Sequence, residues 1–237
     1  MSWRALFEKD AVILLRGLRI SIYLILISVL AFLYVISLSG QFNYSFPSKN
    51  VIDGGFYILL VIILSISMFS SDTSSRGVGD FEHHLLLLIP KRNISILASK
   101  MMIPPIFYLV GIALFTTILF SISNNLAFLK LWGVRLLVDT LLFFVLLSFS
   151  LILFLFLRSN YALIVSTVTL LILFILSPYV LNILPEHPNP IGCEYEILND
   201  MSDGLINNFT PIMTLILYLM TFLSIMILKF HRMEVKE

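Results

Sequence analysis

Apolar residues run through this chain in long blocks, and the polar residues fall between the blocks instead of alternating with them. Six blocks approach the ~20 residues that a helix needs to cross a hydrocarbon core: residues 20–38, 55–69, 103–122, 136–157, 162–178 and 211–228, the second being short. They are apolar on all sides, without the period of two that a barrel strand shows. A lipid-exposed backbone must also satisfy its own hydrogen bonds. The pattern predicts an all-α integral membrane protein with six spans.

Three stretches break the pattern. Residues 1–19 mix Trp3, Leu6, Phe7, Val12, Leu14 and Leu15 with charges, the composition of an amphipathic helix lying in the headgroup layer. Residues 20–237 then form a single transmembrane domain. No secretory signal is expected, because Arg16 and Arg19 interrupt the apolar run and no small-residue cleavage site follows.

The second stretch is a loop over residues 71–102, containing "RGVGDFEHHLLLLIPKR". Gly77 and Gly79 bend the chain, and Asp80 can cap a helix by accepting an orphan amide hydrogen bond. Phe81, Leu85 and Leu88 follow at i, i+4 and i+7, one face of a short helix. Pro90 ends it, and Asn93 can cap the next helix, which continues past Pro104 and Pro105 into the third span. The product is a compact helical elbow.

The third stretch, residues 179–209, contains Pro185, Pro188 and Pro190 and the acids Glu186, Glu194, Glu196, Asp200 and Asp203, with no Lys or Arg. Leu198, Met201, Leu205 and Ile206 within it fit a short helix on the outer leaflet.

Composition agrees with the membrane reading. The chain is 59% hydrophobic and 12% charged, with mean hydropathy +1.02, against about 25% charged for a soluble domain. A net charge of +1 argues against a nucleic-acid surface. Basic residues orient the spans. With the N-terminus inside, only Lys49, Lys130 and Arg135 of the 15 Lys and Arg fall outside. The expectation is a multi-pass protein of the cell membrane with both termini cytoplasmic.

Catalytic chemistry is scarce. One cysteine, Cys193, excludes an intrachain disulfide and any CxxC pair. There is no GxxxxGK[ST] loop, no HExxH and no GxSxG. Asp139 is the one acid near a span, with Arg135 four residues earlier, a spacing that predicts an ion pair on the helix surface near the outer interface. His83 and His84 project about 100° apart on a helix and chelate poorly; His187 and Cys193 show no ligand spacing. The expectation is a chain with no catalytic residue, metal or cofactor of its own. Asn43 and Asn208 head glycosylation sequons outside, and Asn93 heads one inside.

At the elbow the sequence resembles the ABC type-2 permeases, the membrane subunits of many ATP-driven exporters. The resemblance rests on Arg76, Gly79, Glu82, the leucines 85–88, Pro90, Arg92 and Lys100. It extends to the layout: an interfacial N-terminal helix, six spans, an elbow after span two and an external segment between spans five and six. The sequence departs from the family at Asp80-Phe81, where a small residue or threonine is usual, which leaves the start of the helix open.

The resemblance implies that the elbow is a coupling helix docking on an ATPase subunit, with Asp80, His83, Leu85 and Lys91 in the same docking stretch. It implies two copies of that ATPase, which bind ATP and Mg, and a second permease, identical or related. It places the path along spans two and five, where Ser65, Ser67, Ser166, Thr167 and Thr169 are lining candidates, although small polar residues equally serve helix packing. So few charges point to an amphipathic, lipid-like or peptide cargo. The alternatives are a haem-exporter-like subunit of cytochrome c maturation and a non-transporting membrane scaffold or immunity protein.

Overall fold

A computed structural model describes residues 18–39, 55–75, 93–123, 126–157, 159–181, 183–184, 189–202 and 209–234. Among these the chain is all-helical: α1 (Leu18–Ser39), α2 (Gly55–Ser75), α3 (Asn93–Ser123), α4 (Leu126–Phe156), α5 (Ser159–Leu176), α6 (Pro190–Ser202) and α7 (Thr210–Glu234). Four apolar stretches are long enough to cross a membrane: Leu18–Ile36, Met102–Ser121, Arg135–Phe154 and Thr210–Lys229. Gly55–Phe69 and Ile164–Leu176 are shorter apolar stretches. The expected interfacial helix at residues 1–19 falls almost wholly outside the described residues.

The bundle is inside-out relative to a soluble domain. Ile22, Ile25, Val29, Phe32 and Ile36 of α1 are exposed, whereas Arg135, Asp139 and Glu194 are buried. Water rewards the opposite arrangement; lipid tolerates an apolar exterior and drives charges to the interior. These helices mark a membrane protein.

α2 is the central helix. Ile58, Leu59, Val61, Ile62, Ser65, Ile66 and Phe69 are all buried, and α1, α3, α4 and α5 pack around it. That position explains why its sequence is apolar on every face.

Hydroxyl groups connect the neighbours. Tyr23 of α1, at the head of the inward stripe Tyr23, Ile27, Ala31 and Tyr34, donates to the Phe107 carbonyl of α3 at 2.9 Å. Its oxygen also lies 2.8 Å from Oγ of Ser65 on α2. One phenol thereby joins three helices, and Gly111 makes room for it: a Cβ there would overlap the Tyr23 hydroxyl.

α3 begins at Asn93, as expected, and runs unbroken through Pro104 and Pro105. The two prolines remove amide donors to Lys100 and Met101, so the helix can bend there without ending. α5 ends at Ser177-Pro178, where its last carbonyls find partners in the following turn. Leu181 N–H donates to Ile175 at 3.2 Å and Leu184 N–H to Leu176 at 2.9 Å.

Gly111→Ala is expected to lower stability by about 1–3 kcal/mol through overpacking, and Tyr23→Phe by about 1 kcal/mol. Because both act on one hydroxyl, the double variant should lose less than the sum. Thermal unfolding of the four proteins in one detergent checks this.

Candidate functional site

At the α6 end of the bundle, three ionisable side chains meet closed off from the surface. Arg135 sits nine residues into α4, roughly 14 Å along its axis. Its Nε donates to Oδ2 of Asp139, one turn on, at 3.1 Å, and its Nη2 lies 3.5 Å from Oε1 of Glu194 on α6. The guanidinium is 0% exposed and both carboxyls 1%. The Trp132 ring covers the guanidinium at 5.7 Å from its centroid. Trp132 stacks in turn on Phe115 of α3 and Tyr34 of α1.

The expected surface pair therefore forms but is buried. The reason is that α4 starts at Leu126, well before the predicted span, so Arg135 lies in the helix rather than in an outer loop. α6 then covers it.

α6 itself starts earlier than expected. Asn189 caps it: Oδ1 accepts from Ile191 N–H at 3.2 Å, and its carbonyl accepts from Cys193 N–H at 2.8 Å. Pro190 occupies the first helical position, which needs no amide donor. Of the predicted helix residues, Leu198 is buried here; Leu205 and Ile206 lie outside the described residues.

The inward face of α6 carries Ile191, Cys193, Glu194, Ile197 and Leu198. Glu194 is thus an acid at i+3 from Ile191 and four residues before Leu198, in the middle of an apolar stripe. Tyr179, in the turn after α5, donates to its Oε2 at 3.0 Å. The Tyr179 ring lies where a Cβ on Gly55 would stand, so the first residue of α2 has to be glycine for this tyrosine to reach Glu194.

The two carboxyls also influence each other electrostatically across the Arg135 guanidinium. Two buried acids beside a single base repel when both are ionised, which favours a proton on one of them. Oδ1 of Asp139 and Oε1 of Glu194 each lack a hydrogen-bond donor, a need that a protonated carboxyl at this site meets. Burial, reinforced by the Asp139 carboxylate, pushes Glu194 well above the ordinary carboxyl range, against the opposing pull of Arg135. Asp139 has the shorter contact to the guanidinium, so the proton resides on Glu194. The site then holds one positive charge, one negative charge and a neutral acid.

Neighbouring groups stay neutral as well. Burial pushes the Cys193 thiol up to about 11, with Glu196 adding to the shift, so it is no nucleophile at neutral pH. Among the described residues no three His, Cys, Asp or Glu converge to hold a metal ion.

The other residues singled out from the sequence lie elsewhere. Arg76, Gly79, Asp80, Glu82, His83, Leu85, Pro90, Lys91 and Arg92 are outside the described residues, and only the backbone of Lys100 is described, in α3. Ser65 is buried against Tyr23 and donates to Val61 at 2.7 Å. Ser166 of α5 is buried against Ser150 of α4. Ser67 donates to Leu64 and is half-buried, as are Thr167 and Thr169. Ser65 and Ser166 thus face different helix interfaces, where their hydroxyls tie helices together.

Comparison with family models, with characterised proteins and with solved structures finds no match to this chain.

Arg135→Met leaves two buried acids without a counter-charge and is expected to cost about 3–5 kcal/mol. Adding Asp139→Leu should recover part of that loss. Denaturation of the three proteins in one detergent measures it; equal stability of Arg135→Met and wild type would contradict the buried cluster.

Proposed function

We propose that this chain is the transmembrane subunit of an ATP-driven exporter of the ABC type-2 kind. It spans the cell membrane six times with both termini in the cytoplasm, and the α6 end of the bundle faces outward. The chain pairs with a second copy or a related permease. Two copies of a separate ATPase bind ATP and Mg beneath it, and the chain performs no catalysis itself. The cargo is amphipathic, lipid-like or peptide in character.

The observation that carries this reading is the continuity of α3. The helix starts at Asn93, directly after the charged elbow that ends at Arg92, and runs without a break to Ser123. Work done by a soluble ATPase can reach a membrane helix only through a rigid cytoplasmic projection. The capped elbow that the sequence predicts, joined directly to a long helix, is such a lever, with Pro104 and Pro105 as its bend point. Arg76, Glu82, Lys91 and Arg92 supply charge-assisted contacts for a partner.

Supporting this are the concentration of Lys and Arg on one side of the predicted spans and a short helix, α6, between α5 and α7.

Purification of the chain from host membranes in mild detergent is expected to bring down a P-loop ATPase. Glu82→Ala and Arg92→Glu should reduce its recovery about tenfold, the loss of one good charge-assisted contact. If no ATPase accompanies the wild type in several detergents, the exporter reading fails and a membrane scaffold takes its place.

A further inference from the structure

The three-residue cluster has a property that neither packing nor ATPase docking requires. It contains two acids and one base, all buried, on two different elements: Arg135 and Asp139 on α4, Glu194 on α6. Had evolution of the fold needed only a buried ion pair, Arg135 and Asp139 would suffice within one helix. The second acid comes from the helix that closes the end of the bundle.

We propose that the Arg135–Asp139–Glu194 cluster is a binding site for one exchangeable proton, and that this proton latches α6 onto α4. With the proton present, Glu194 donates to Asp139 and accepts from Tyr179, and the site is neutral overall. When the proton leaves, two carboxylates face each other with one guanidinium between them. The buried charge becomes −1 in a fully enclosed place, and the cost of burying an unpaired charge is high. The relief open to the fold is for α6 to lift, taking Glu194 to solvent. Gly55 and Tyr179 are the hinge-side contacts of this latch, since Tyr179 bonds Glu194 and rests on α2.

The direction follows from which state holds the proton more tightly. The closed cluster keeps Glu194 protonated above the pH at which a solvated glutamate loses its proton. Closure is therefore favoured at low pH and is lost as pH rises through the raised value of the buried group.

The other titratable groups around Glu194 do not change this sign. Tyr179 is held well above the phenol range by burial and by Glu194. Tyr108 of α3 stacks on Phe143 of α4, and Tyr34 of α1 stacks on Trp132; both bring phenols rather than carboxyls or imidazoles to the neighbourhood. Cys193 and Glu196 flank Glu194 on α6 itself. α7, which packs on α6, carries no acid or base between Thr210 and Leu228, its one phenol there being Tyr218. The latch does not depend on an ATPase partner, so it stands or falls separately from the exporter reading.

The chain carries its own reporter. Cys193 is its single cysteine, sits beside Glu194 on α6 and is buried. The full chain is reconstituted in nanodiscs, and the rate of Cys193 labelling by a water-soluble maleimide is measured from pH 5 to pH 9. Wild type is compared with Glu194→Gln, whose amide keeps the hydrogen bond to Asp139 at every pH, and with Asp139→Asn, which leaves one acid for one base.

Taking the ratio at each pH cancels the thiol's own ionisation. A charged Glu194 would slow the adjacent thiol, so faster wild-type labelling has to come from opening. The expected ratio of wild type to either variant is near one at pH 5 and rises about tenfold or more by pH 9, the signature of a local opening equilibrium.

A ratio that stays flat overturns the proposal. So does rapid labelling of both variants at all pH values, which would mean that the charged carboxylates, not the proton, hold α6. If Glu194→Gln does not fold, Asp139→Asn carries the comparison. Hydrogen exchange of the α6 amides in wild type, corrected for intrinsic rates, reads the same opening without any substitution, and constant protection across the range overturns it.

Discussion

Arg135 is fully buried, and everything at its end of the bundle is arranged to answer that fact. A guanidinium taken out of water is tolerable only when its charge is met in place. Asp139 meets it from the next turn of the same helix, Glu194 from α6, and the face of Trp132 from above. Each of these partners imposes a further condition. Glu194 reaches the site only because Asn189 and Pro190 start α6 where they do. Tyr179 reaches Glu194 only because Gly55 has no side chain. Trp132 is held by the aromatic stack with Phe115 and Tyr34, which ties α4 to α3 and α1.

Elsewhere the helices are held by different means. In lipid the hydrophobic effect gives little preference for helix–helix contact over helix–lipid contact, so close packing and interhelical hydrogen bonds decide the arrangement. Tyr23, Ser65 and Phe107 do this for α1, α2 and α3, and Ser150 with Ser166 does it for α4 and α5. The near-parallel Phe69 and Phe107 rings, 3.9 Å apart, fill the space below Tyr23. At the opposite end from the cluster, Lys229 of α7 lies over the Phe156 ring at 4.4 Å.

Helices could be read from the sequence because their signal is local. A block of apolar residues needs no knowledge of its neighbours to be recognised: each of the six predicted blocks coincides with a helix, the fourth and fifth running a residue or two past its end, and four of the helices are long and apolar enough to cross a membrane. The start of α3 at Asn93 was legible for the same reason. The cluster was not, because its signal is split. Arg135 and Asp139 announced their pairing by their spacing, yet nothing within α4 reveals that α6 will cover them. Glu194 did leave a trace, as an acid on the apolar stripe formed with Ile191, Ile197 and Leu198. The apolar positions Leu198, Met201, Leu205 and Ile206 predict a later helix instead. The serines were legible as small polar residues in spans, but which interface each would serve is a tertiary fact.

A membrane bundle in which α6 presses a second acid onto a buried Arg135, and in which the long α3 starts directly after the charged stretch 76–92, offers two places where a signal can act. The central claim is the state of charge at the cluster: one cation, one anion and one neutral acid. Infrared spectroscopy of the reconstituted protein at neutral pH sees a buried protonated carboxyl directly, through a carbonyl stretch distinct from that of carboxylates. The account predicts that band in wild type and its loss in Glu194→Gln. A wild-type spectrum without it, or one that Glu194→Gln leaves unchanged, would contradict the account.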